Sequence, residues 1–175
     1  MENISIIVPF QEQRPELMQQ LPRLLSMRHV GEYEVILVDM KHDKDTEEWL
    51  EEVEGRYPNL CHTFCPVSAR CIDTYRLALT LGAKAAAYEW LVVLPVDVEW
   101  QNENWLQVLT SYAEDGTDVI IGILGRKRRM NWFKSYIFRR RFSLFRRTSY
   151  IILCRRSALL QSKAIKLLNR HIVKL

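Results

Sequence analysis

The first 124 residues switch repeatedly between two hydrophobic periods. Residues 4 to 9, ISIIVP, are a short β-branched run of the kind a doubly covered strand needs. Leu17, Leu21, Leu24 and Leu25 then recur at helical spacing, so a helix follows. YEVILVD, 33–39, predicts a second buried strand, which gives way to the polar loop MKHDKD. Thr46 is placed to cap the acidic helix EEWLEEVEGRY behind that loop. A third strand is expected over 60–65 and an Ala- and Leu-rich helix from Tyr75 to Tyr88. WLVVL, 90–94, predicts a fourth strand, WLQVLTSYA another helix, and DVIIGIL, 118–124, a fifth strand. Strand and helix alternating through short loops imply an α/β fold, an open and mostly parallel sheet flanked by helices.

In such sheets ligands bind beyond the carboxyl ends of the strands. That rule joins Pro9 to Gln13, Asp39 to Asp43 and Asp97 to Glu99 into one candidate site. The stretch LPVDVEW, 94–100, ends a core strand with Asp97 and Glu99 two residues apart, on one side of an extended segment.

Length and composition change this picture little. With 175 residues, 48% hydrophobic and 26% charged, the chain suits one domain with a real core, expected to span 1–175. MENISIIVPF has no basic leader and no apolar run approaches the ~18 residues of a membrane span, so a cytoplasmic protein is expected. Its four cysteines are then expected to be reduced. Cys61, Cys65 and Cys71 cluster with His62, but without the paired spacing of structural zinc sites, and read as small strand and loop residues.

Charge changes it more. The net +4 conceals residues 1–118 with 21 acids and 9 Lys and Arg, a net −12. Residues 119–175 hold 16 Lys and Arg and no acid, a net +16. An anionic partner is implied for the second half: a phospholipid surface, a phosphate-bearing ligand or nucleic acid.

The motifs, taken in order, resemble those of the family 2 glycosyltransferases. ISIIVPFQEQRPELMQQLPRLL is similar to that family's opening strand and helix, and YEVILVDMKHDKDTEE to its E-I-I-V-V-D-D-G-S segment. ALTLGAKAAAYEWLVVLPVDVEW lies without gaps on A-R-N-x-G-x-x-x-A-x-G-x-x-x-x-x-L-D-A-D, with Gly82 on a family glycine and Asp97 on the last acid. The resemblance runs from residue 4 to about 124 and implies a GT-A nucleotide-sugar-binding fold. The branch it suggests is that of the polyprenyl-phosphate glycosyltransferases, such as dolichol-phosphate mannose synthase. RRTSYIILCRR, 146–156, keeps Thr148, Ser149, Arg155 and Arg156 of that branch's lipid-phosphate segment. The chain also departs from the pattern. Pro95 replaces the first acid of D-A-D, Met40 the second Asp of V-D-D and Leu79 the Arg of A-R-N, and no acid follows Asp118 as a late general base.

What the resemblance implies is sugar transfer from a nucleotide diphosphate donor. Mg²⁺ or Mn²⁺ prefers hard oxygen ligands, and Asp97 and Glu99 are the expected pair, Glu99 restoring the charge lost at Pro95. Asp97 is the expected catalytic residue, and Asp39 is expected to face the nucleoside. Pro9 and Phe10 are expected to give backbone and stacking contacts to the base. Arg126, Arg128, Arg155 and Arg156 are the expected phosphate and acceptor contacts. A lipid-phosphate acceptor is its own anionic nucleophile, which makes a missing general base tolerable.

Phe138, Phe142 and Phe145 recur at i, i+4, i+7 beside Arg139 to Arg141, the pattern of an interfacial helix on an anionic membrane. KAIKLLNRHIVKL is expected to be a short basic amphipathic helix. The leading expectation is a peripheral transferase on the inner membrane face, acting on a lipid-linked or glycan acceptor. The rivals are a non-catalytic GT-A-like subunit that scaffolds a partner transferase or membrane protein, and, ranked last for want of a nucleic-acid motif, a nucleic-acid-binding module.

Overall fold

A computed structural model of the chain describes residues 2–66, 73–96, 104–113, 118–123, 150–161 and 171–174. The strands are β1 (Ile4–Phe10), β2 (Tyr33–Asp39), β3 (Leu60–Phe64), β4 (Trp90–Val93), β5 (Val119–Ile123), β6 (Tyr150–Arg155) and β7 (His171–Lys174). The helices are α1 (Arg14–Leu25), α2 (Lys44–Glu54), α3 (Thr74–Ala85), α4 (Trp105–Thr110) and α5 (Arg156–Leu160).

The strands form one sheet in the order β3-β2-β1-β4-β6-β5-β7. β1 pairs in parallel with β2 on one side and β4 on the other, and β2 with β3. β6 alone runs against its neighbours, between β4 and β5, while β7 lies parallel to β5. The expected mostly parallel α/β sheet is therefore present.

Alternation along each strand sends side chains into two cores. Ile4, Ile6, Val8 and Phe10 of β1 meet Leu17, Leu21 and Leu24 of α1, Leu50 of α2 and Trp105, Leu106 and Leu109 of α4 on one face. Ile7, Ile36, Val38, Leu91 and Val93 meet Ala78, Leu79 and Ala83 of α3 on the other. Burial on both faces explains why the strands read as unbroken apolar runs. At Gly82 the second layer comes very close: a Cβ there would lie 2.6 Å from Cγ2 of Ile7.

Some elements differ from expectation. α2 begins at Lys44 and is capped by Asp43, whose carboxylate accepts from the Thr46 N–H at 3.1 Å and the Thr46 hydroxyl at 2.8 Å. Thr46 is thus the recipient of the cap. Asp43 enters with extended backbone, which aims its side chain at the first turn. α3 stops at Ala85 rather than reaching Tyr88, because the Ala87 N–H donates to Glu34 and the Tyr88 N–H to the buried Ser5 hydroxyl. Those bonds tie the α3–β4 turn to β1 and β2. The final basic stretch is not helical at its end: His171–Lys174 is β7, hydrogen-bonded along β5. The interfacial pattern over 132–145 lies outside the described residues.

Candidate functional site

Three parallel strands finish together at one edge of the sheet, with Phe10 beside Asp39 and Asp39 beside Phe64. The chain turns from β1 to β2 and β3 on one side and to β4 on the other. β1 and β4 thus flank the switch point at which open α/β sheets hold ligands. Past Val93 the Leu94 N–H still donates to the Ile7 carbonyl at 2.9 Å, so β1 guides the chain to Pro95 and Val96. Asp97 comes next in sequence. Asp97, Glu99, Arg126 and Arg128 all lie outside the described residues.

The floor of this edge is tightly bonded. The Phe10 carbonyl accepts from the Met40 N–H at 2.9 Å, and the Asp39 carbonyl accepts from the Cys65 N–H at 2.8 Å. Asp39 is 2% exposed, and its Oδ1 accepts from the Lys41 N–H at 2.8 Å. The carboxylate therefore shapes the turn after β2. Cys65 is buried here, and burial, helped by the Asp39 charge, pushes its thiol up. Met40 packs against the second core.

The expected stacking role of Phe10 does not survive. Its ring is 1% exposed and sits in the first core with Ile4, Ile6 and Val8, which share its strand parity. Pro9 is also buried and offers its backbone to the β1–β2 ladder. The accessible rings at this edge belong to Phe64, which sequence reasoning passed over, and to His42, which lies within the expected Asp39 to Asp43 stretch but was given no role. Phe64 is 41% exposed, and the His42 ring lies 3.9 Å from it, tilted by 49°. His42 also has φ 54°, the left-handed region. Around them, Gln13 Oε1 accepts from the Gln11 and Glu12 N–H groups, and the Lys41 ammonium stands 3.8 Å from Glu12. Lys41 and Glu12 thus link the loops after β1 and β2.

Arg155 and Arg156 are not brought to this edge. Arg155 pairs with Trp90 across β4 and β6, at the amino end of the parallel strands. Its guanidinium lies 4.7 Å over the Trp90 ring and 4.0 Å from Asp118. Arg156 donates to the Ala86 carbonyl at 2.7 Å and lies 3.5 Å from Glu89. Both cations serve the β4–β6 seam. A nearby run of apolar residues, Tyr150 to Cys154, was the available sign that this segment is a strand.

The described residues contain no group of three His, Cys, Asp or Glu that could hold a metal ion. The Cys–His cluster is likewise no zinc site as far as it is described. His62 Nδ1 pairs with Glu54, and burial pushes the Cys61 thiol to about 11, with Glu34 and Glu54 adding to the effect. Cys154, buried in the second core, rises to about 12. Among the described residues no helix is long and apolar enough to cross a membrane.

An open α/β sheet with this switch point and helices on both faces is the architecture of the GT-A fold. The family model for glycosyl transferase family 2 matches residues 5–174, and the chain belongs to that family. No curated protein matches it. Among solved structures it is similar to the mannosyltransferase PcManGT from Pyrobaculum calidifontis, in complex with GDP-mannose and Mn²⁺, at TM-score 0.55 and 19% identity over 67% of this chain and 34% of that one. It is also similar to S. aureus TarS residues 1–349 in complex with UDP, at TM-score 0.52 and 21% identity over 73% of this chain and 38% of that one. The chain thus spans well under half the length of these structures.

Proposed function

We propose that the chain transfers a sugar from a nucleotide diphosphate donor to a lipid-linked or glycan acceptor on the inner face of a membrane. The observation that carries this reading is the shared strand edge. The end of β1, Asp39 and the chain entering Asp97 meet at the β1–β4 switch point of a family 2 fold. Asp97 and Glu99 would hold Mn²⁺ or Mg²⁺, which would neutralise the charge growing on the diphosphate of the leaving nucleoside diphosphate. Asp39 holds the turn that borders the nucleoside. Arg126 and Arg128 follow Ile123, which ends at the same edge, and are the cations assigned to donor or acceptor phosphate. The acid-free stretch 119–175, net +16, supports attraction to an anionic lipid surface.

The test is calorimetric titration with UDP and GDP, with and without Mn²⁺. Metal-dependent binding of one nucleotide is expected, and Asp97→Ala should abolish it while leaving the circular dichroism spectrum intact. A second reading, a non-catalytic subunit of a partner transferase, is favoured by Pro95 in place of an acid and by Met40 packing into the core. It predicts a folded wild-type chain that binds neither nucleotide.

A further inference from the structure

We propose that the His42–Phe64 ring pair is the ledge on which the donor's nucleobase rests, and that His42 sets which base is accepted. This rests on the nucleotide-sugar reading above. A nucleobase needs a flat apolar surface, because stacking on an aromatic ring carries much of its affinity. Phe10 cannot provide that surface with its ring 1% exposed. Phe64 can, being 41% exposed at the end of β3, directly beside Asp39 in the ladder.

The ring of His42 lies 3.9 Å from that of Phe64, and its backbone takes φ 54°. A non-glycine residue in the left-handed region persists where its surroundings hold it. Here both neighbours are fastened. The Lys41 N–H is bonded to Asp39, and the Asp43 side chain is bonded to the first turn of α2. The loop therefore presents the imidazole at a set place above the sheet edge. Imidazole nitrogens both donate and accept, so this ring can read a base edge. Met40 cannot, since its thioether packs against the core and has no donor.

The experiment compares wild type with His42→Gly, Phe64→Leu and His42→Phe, each titrated with UDP and with GDP in the presence of Mn²⁺, alongside thermal unfolding. His42→Gly removes the ring and relaxes the left-handed backbone, so a purely structural role leaves binding unchanged. The ledge predicts that His42→Gly and Phe64→Leu each weaken the preferred nucleotide by about tenfold or more, with the His42→Gly midpoint not lowered. His42→Phe should recover most of the affinity but narrow the gap between UDP and GDP. Wild-type binding that both ring-removing variants retain in full would overturn the ledge and leave the donor reading standing. A wild type that binds neither nucleotide overturns both.

Discussion

Residues 39–46 show how a few side chains can set the shape of a site. The Asp43 carboxylate takes two hydrogen bonds from Thr46, and these hold it below the ordinary value of 3.8. A group lowered on folding stabilises the protein fully above its unfolded value and loses that effect as pH falls through the folded one. Asp43→Ala should therefore cost about 1 kcal/mol near neutral pH, read by urea denaturation. The deficit should shrink as the pH drops below 3.8; one that stays constant removes the charge from the explanation. The sequence showed that a cap was present but not which residue made it. Asp43 and Thr46 are both good cap types, and the choice depends on backbone direction into the helix. Phe10 was more legible than the functional expectation allowed. It has the parity of Ile4, Ile6 and Val8, and period-two alternation alone assigns it to the core. His42 carried no sequence signal, since its role comes from a φ value and a ring contact with β3.

At the scale of elements, α3 approaches β1 closely at Gly82. Gly82→Ala raises helix propensity by up to about 1 kcal/mol yet drives a methyl toward Ile7, and overpacking of this kind costs about 1–3 kcal/mol. Net destabilisation is expected in denaturant titration. Adding Ile7→Ala should make the double variant less unstable than the sum of the two single ones, and strict additivity would show that the two residues do not meet. The longer elements β1, β2, α1, α2 and α3 were readable, the strands as unbroken apolar runs and the helices from the stripe of residues that each buries. β6 had a clear apolar run too, but its flanking Arg pair drew attention to phosphate chemistry instead. β7 has four residues and no periodicity to read, and its conformation is set by the open edge of β5.

Across the whole molecule, the sharp change of charge near residue 118 is not a division of the fold. β6 comes from the basic half yet lies between β4 and β5, and the Arg155–Asp118 and Arg156–Glu89 pairs join the halves across that seam. A chain ended after residue 124 leaves β4 and β5 without their common neighbour. It should show no cooperative urea transition, whereas a sharp transition like that of the full chain would make β6 dispensable. The sheet's class was legible from alternation, but strand order was not, because non-local pairing leaves no mark on local period. Ile123 and Tyr150 are ladder partners at the ends of β5 and β6. The ends of residues 124–149 are thus already held together, and the entropy of closing such a connection rises only slowly with its length. Lengthening the chain between Ile123 and Tyr150 is therefore expected to leave the β5–β6 ladder in register, read as an unchanged urea transition.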